Sequence, residues 1–261
     1  MFRSLHIAST GMAAQEAQLD AISNNLANVN TVGYKKLRAD FQDLLYQTVR
    51  SAGAQNTAST MSPTGLQIGT GVRLVATSRL HEQGPVQNTG NPLDVAIEGA
   101  GFLVVQQPDG TPAYTRNGTL KTDAQGRIVT SEGMSLEPPI SIPPDATSVS
   151  IGADGTVTAT IKGQTNPTQL GNIQLASFIN PSGLTAIGHN LLLATAASGE
   201  AQVGNPGFDG RGTLLQGSLE HANVEVAEEM VALIAAQRTY EVNSKVIAAA
   251  DEMLRNATQL R

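Results

Sequence analysis

Residues 5–29 read Leu-His-Ile-Ala-Ser-Thr-Gly-Met-Ala-Ala-Gln-Glu-Ala-Gln-Leu-Asp-Ala-Ile-Ser-Asn-Asn-Leu-Ala-Asn-Val, and two ladders run through them. Leu5, Met12, Leu19 and Leu26 stand seven apart, and Ala8, Gln15, Ile22 and Val29 interleave. Only Gln15 in this set is polar, which is the pattern of a coiled-coil seam. The far end of the chain repeats it. Val226, Leu233, Tyr240, Ile247 and Leu254 keep the same spacing, with Met230 between the first two. Association helices at both ends predict that the termini join each other and neighbouring copies of the chain.

The spacing predicts a first helix from about Ser4, a plausible N-cap, to Asn28, leaving helical geometry at Gly33. Ala14, Ala17, Ala21, Asn24 and Asn28 give it a small-residue face open to close helix contact. The second helix is expected from about Val224 to Leu260, capped by Asn223, with Glu225, Glu228 and Glu229 at its start and Arg255 and Arg261 at its end. Val231, Ala235, Val242, Val246, Ala249 and Met253 form a further stripe on it, about 140° from the main seam at about 100° per residue. One partner helix cannot cover both stripes. Either the helix is buried within one globular domain, or it meets several helices, some from other subunits.

Between the helices the texture changes. Residues 46–70 are polar and hold Met61-Ser-Pro-Thr-Gly, consistent with a long loop, an extended arm, or a segment ordered only on binding. Val72-Arg-Leu-Val-Ala-Thr reads as a strand, and Leu93-Asp-Val-Ala-Ile-Glu alternates as a half-buried strand does. Phe102–Gln107, the turn Pro108-Asp-Gly-Thr and Ala113–Arg116 make a hairpin, and Ile151–Thr158 reads as another. Turn signals recur at Asn117-Gly118, Gln125-Gly126, Glu132-Gly133, Asp154-Gly155 and Gly171-Asn172, as in antiparallel β domains. A strand is expected at Ile173–Phe178, and Gly183–Gly217 reads as a return path to the final helix.

The expected class is therefore α+β. Long N- and C-terminal α-helices pair as a coiled-coil-like inner domain (1–32 plus 217–261), and mainly antiparallel β domains come from the middle of the chain. A connecting domain takes 33–90 plus 195–216, with the arm at about 46–70, and an outer β domain takes 91–194.

Composition narrows the function. Of 261 residues 40% are hydrophobic but only 3% aromatic, with no Trp, so the cores rest on aliphatic side chains rather than on a deep ligand cavity. A net charge of −6 and no basic run argue against nucleic acid or anionic lipid as partner. Zero cysteine excludes disulfides and thiol catalysis. No stretch is apolar enough for a membrane span, and the first residues lack the apolar core of a cleaved Sec signal.

His6, His81, His189 and His221 lie far apart, and Asp109, Asp154 and Asp209 before Gly lack an EF-hand loop's spacing. Gly99-Ala-Gly101 and Gly69-Thr-Gly71 lack the context of a dinucleotide site. Glu82, Asp94 and Glu98 offer carboxylates, with no reason in the sequence to pair them across a cleft, so solvated strand faces are preferred. No catalytic, metal or cofactor residue and no small-molecule substrate is expected. The candidate sites are subunit-interface residues: Leu5, Met12, Leu19, Ile22, Asn24, Asn25, Leu26, Asn28 and Val29 on the first helix, and Val226, Met230, Leu233, Tyr240, Ile247 and Leu254 on the second.

Three stretches resemble the flagellar axial family, the rod and hook proteins of bacterial flagella. They are residues 19–35, Leu-Asp-Ala-Ile-Ser-Asn-Asn-Leu-Ala-Asn-Val-Asn-Thr-Val-Gly-Tyr-Lys; Gly90-Asn-Pro-Leu-Asp-Val-Ala-Ile-Glu-Gly-Ala-Gly-Phe, continuing to Ala113-Tyr-Thr-Arg-Asn-Gly; and Leu219-Glu-His-Ala-Asn-Val-Glu-Val-Ala-Glu-Glu-Met-Val through Gln237-Arg-Thr-Tyr-Glu-Val-Asn-Ser-Lys. Length and the segment from Met61 to Val72 look most like distal rod members. The resemblance implies a structural subunit of a hollow helical rod that transmits torque across the periplasm. It further implies export through the flagellar type III apparatus, and contacts with itself, proximal rod and hook proteins, and the P- and L-rings. Mid-helix asparagines cost helix propensity, so the cluster Asn24, Asn25, Asn28 and Asn30 is expected to fix register between subunits. Competing readings are a hook or proximal rod subunit, a peptidoglycan hydrolase, and a β-rich adhesin.

Overall fold

A computed structural model describes residues 2–53, 55–57, 60–61, 63–163 and 166–259, which divide into two units. The helical unit takes the residues up to Leu26, Leu37–Ser78 and the residues from Glu225 on, and the β unit takes Ala27–Lys36 and Arg79–Val224.

In the helical unit, α1 spans Phe2–Ala27 and α2 spans Val226–Gln259. Ser4 therefore lies inside α1 rather than capping it. Asn223 does not cap α2 either. Its side chain accepts from the Lys36 amide at 2.7 Å and donates to the Leu80 and Glu82 carbonyls, while the first helical bond closes on the Glu225 carbonyl, from the Glu229 amide. The expected end at Leu260 lies outside the described residues. The Asn25 amide donates to Glu229 Oε2 at 3.3 Å, and a side chain at Gly11 would lie 3.1 Å from Asn243 Nδ2. Moving down α1 from 25 to 11 moves up α2 from 229 to 243, so the helices run antiparallel.

On α2 the buried residues are Glu229, Ala236 and Ala250, and half-buried Asn243 completes a rung every seven residues. Small and polar side chains thus make the inner rung. Of the apolar ladder, Leu233, Ile247 and Leu254 are half-buried, whereas Val226, Met230 and Tyr240 stay exposed.

The rest of this unit is thin β structure. Leu37–Asp43 pairs with Val72–Arg79. Beyond them Gln47–Arg50 pairs antiparallel with Leu66–Ile68, and Gln55–Thr57 with Thr60–Met61. Of the three readings of residues 46–70, the described part takes the extended one, a hairpin arm.

In the β unit a nine-stranded sheet runs Leu120–Thr122, Ile128–Thr130, Ser135–Leu136, Phe102–Gln106, Pro112–Thr115, Leu191–Leu193 and Thr185–Gly188, with Leu175–Ser177 bridging Phe102–Gln106 to Gln202–Gly204. Both expected hairpins form: Pro112–Thr115 pairs with Phe102–Gln106, and Thr156–Ile161 with Ala146–Ile151. Two expectations are corrected. Val95, Ala96 and Ile97 are each only 1% exposed, so this strand is covered on both faces and not half-buried. Gly183–Gly217 is not a plain return path, because it supplies four short strands, including Thr213–Gln216 against Val95–Glu98. The main core gathers aliphatic residues such as Ile97, Leu103, Ile128 and Leu175, while the few aromatics, Phe102, Tyr114 and Phe178, pack edge-to-face in a second cluster.

Candidate self-association surface and buried charge cluster

α2 carries more apolar surface than its own unit covers. Val231 is 68% exposed and Val242 57%, and Met230, Ile234, Val246 and Met253 are exposed beside them. Charged residues are interspersed, but the apolar positions recur on the same side over most of the helix. α1 is better covered: Ala8, Ala14, Ala21 and Ile22 are buried, and Leu5, Met12, Leu19 and Leu26 are half-buried.

The four asparagines do different things. Asn25 is buried, donates to the Leu37 carbonyl at 2.9 Å and accepts from the Leu37 amide at 2.8 Å, so its amide is bound within the chain. Asn24 and Asn30 are exposed, and half-buried Asn28 accepts from the Thr31 hydroxyl. Val29 sits against Tyr34, Ala222 and Val224 in the β unit.

The carboxylates weighed for hydrolysis take other roles. Asp94 is buried, accepting from Thr89 Oγ1 at 2.6 Å and Asn91 Nδ2 at 3.0 Å, which secures a turn, while Glu82 and Glu98 are exposed. Asp109 and Asp154 each accept from the hydroxyl and backbone amide of the threonine two residues on, and these bonds hold both carboxyls below the usual range. That is Asx-turn chemistry. Among the described residues no group of three or more His, Asp or Glu side chains is placed to hold a metal ion, and no helix is long and apolar enough to cross a membrane.

One cluster escaped the sequence reading. Glu220, 1% exposed, accepts from Lys35 Nζ at 2.6 Å, Arg116 Nε at 2.6 Å and the Gly84 amide at 2.9 Å. The rest of the Arg116 fork donates to the Gly101 and Gly99 carbonyls at 3.0 and 2.6 Å. Burial pulls the Lys35 pKa down, helped by Arg116 and opposed by Glu220. Burial alone would raise the Glu220 carboxyl, but the charge of Arg116 and the bonds from both cations hold it below its usual range. Beside them His81 stands edge-on to Phe102, and burial with the charges of Lys35, Arg116 and Arg79 lowers its pKa to about 4. Lys35, Arg116 and Glu220 each belong to one of the three resembling stretches, yet they are so far apart in sequence that no local pattern links them.

Residues 5–35 match the family described as flagella basal body rod protein, residues 96–159 the D1 domain of flagellar hook protein FlgE/F/G, and residues 215–260 the C-terminal region of flagellar basal body rod FlgEFG proteins. The chain is 48% identical to the flagellar basal-body rod protein FlgG of Buchnera aphidicola subsp. Acyrthosiphon pisum, with 100% of both chains covered. It is 49% identical to FlgG of Caulobacter vibrioides over 99% of each chain, and 40% identical to FlgG of Bacillus subtilis over 100% of each. A fold with an uncovered apolar helix face, together with matches along its whole length, leads to one conclusion: the chain belongs to the flagellar basal-body rod family, as a structural subunit of the distal rod and not an enzyme.

Proposed function

We propose that copies of this chain stack head to tail into a hollow helical shaft that carries torque across the periplasm, with the terminal helices as its inner layer. In that shaft α1 and α2 pair in a coiled-coil-like manner within each copy, and the uncovered face of α2 is filled by helices of neighbouring copies. The interface draws on the α2 ladder and on the half-buried α1 positions Leu5, Met12, Leu19 and Leu26, with Asn24 and Asn28 setting register. Proximal rod and hook proteins continue the shaft at its two ends, the P- and L-rings surround it, and subunits arrive through the flagellar export apparatus.

The observation that carries this reading is the apolar face of α2. Each exposed Val or Met contributes roughly 1.5–3 kcal/mol when fully buried, and a contact that does not close on itself makes an open filament. Replacing Val231 and Val242 together with Glu should leave the single chain's circular dichroism and melting unchanged. The concentration needed for filaments, read by sedimentation and electron microscopy, should rise at least about tenfold, the equivalent of about 1.4 kcal/mol. Filaments formed by the double variant at the wild-type concentration would overturn the reading.

A further inference from the structure

Ala27–Lys36 packs with the β unit, although the chain on either side of it belongs to the helical unit. Side chains and backbone both hold it. The Gly33 amide donates to the Glu220 carbonyl at 2.8 Å, the Leu80 amide to the Lys36 carbonyl at 2.9 Å, and the Lys36 amide to Asn223 Oδ1 at 2.7 Å. Lys35 reaches deepest, with Nζ on Glu220 Oε1 at 2.6 Å and on the Glu82 carbonyl at 2.5 Å. Tyr34 adds the apolar contact with Ala222 and Val224, and Arg79 lies over its ring at 5.9 Å.

The anchor contains one buried carboxylate for two buried cations. His81 stands in the chain between Leu80 and Glu82, whose backbone groups bond Lys36 and Lys35, and its Nδ1 is buried with no hydrogen-bond partner. We propose that Ala27–Lys36 is a latch on the β unit, held shut by ionised Glu220 beside a neutral His81 and released by acid. The charged groups facing His81 are Lys35, Arg116 and Arg79, and Glu220 and Glu82 act on Lys35. A proton on His81 therefore adds a third cation where one carboxylate already serves two. Its lowered pKa, about 4 against 6.5, means that the neutral ring is favoured in the fold. The stabilisation is complete above pH 6.5 and drains away as pH falls towards 4. Glu220 is shifted the other way, its carboxylate favoured by Arg116 and Lys35, so His81 is the trigger. The latch belongs to the single chain and stands apart from the reading as a polymer.

Hydrogen exchange of the full chain, corrected for the intrinsic effect of pH and followed by mass spectrometry from pH 7 to 4, tests this. Peptides covering 27–36 should lose protection at least about tenfold across the window, while those covering the strands Phe102–Gln106 and Pro112–Thr115 keep theirs. His81→Phe keeps a ring against Phe102 but cannot take the proton, and should hold the latch closed throughout. Glu220→Gln should open it at pH 7, and Lys35→Met serves the same purpose if that variant does not fold. Loss of protection in 27–36 and the sheet together, or an unchanged acid step in His81→Phe, would overturn the proposal.

Discussion

Glu220 ties together distant parts of the chain, since its carboxylate binds Lys35, Arg116 and the Gly84 amide at once. Replacing one partner of a buried ion pair leaves the other charge without compensation, at a cost of about 3–5 kcal/mol. Glu220→Gln should lower the urea-unfolding free energy of the β unit by about that amount. Two glycines give a sharper pair. A side chain at Gly118 would run into the Val95 carbonyl oxygen, within the core strand, whereas at Gly110 it would meet nothing and only the positive φ of 85° opposes it. Gly110→Ala should cost about 1–2 kcal/mol, and Gly118→Ala at least about 3 kcal/mol, both measured by denaturant unfolding. The charge cluster was illegible beforehand for a physical reason: its members are 185 and 104 residues apart along the chain, so only the folded sheet brings them together. The same holds for Asn223, whose place just before a helix suggests a cap until Lys36, Leu80 and Glu82 claim its amide.

At the scale of elements, periodicity told more. The heptads of residues 5–29 and 226–254 located both helices to within a few residues, because each helix keeps an apolar side that its surroundings require. The strand at Val95–Glu98 is legible in place but not in burial, since its alternation suggests one wet face whereas Val95, Ala96 and Ile97 are all buried. The short strands between Gly183 and Gly217 were missed, because three or four residues among glycines carry too little pattern to register. For the candidate interface, sequence marked the apolar positions of α2 but could not separate the inner rung of Glu229, Ala236, Asn243 and Ala250 from the uncovered stripe. That separation makes a prediction. Ile22→Ala, at 3% exposure in α1, should destabilise the helical unit by about 2–5 kcal/mol. Val231→Ala should stay within about 0.5 kcal/mol in the single chain. Thermal unfolding of the two variants checks both.

For the whole molecule, the hairpin arm offers a clean cut. Residues 46–53 and 63–67 are exposed, and the arm's strands pair mainly with each other. Excising 46–70 should leave the β unit's unfolding free energy unchanged to within about 0.5 kcal/mol. Filaments of the shortened chain should bend more, as judged from their curvature in electron micrographs, and equally straight filaments would remove the arm from any account of stiffness.

The bond between Asn25 and Glu229 spans 204 residues, so the helical unit cannot close until almost the entire polypeptide is available. At about 5–20 residues per second of synthesis, the leading helix waits roughly 10–40 s for its counterpart. Throughout that interval the β unit can already be folding, while Ile22 and its apolar companions face water. A nascent chain of this kind is exposed to premature clumping at its oldest end, and whatever escorts it must shield that end first.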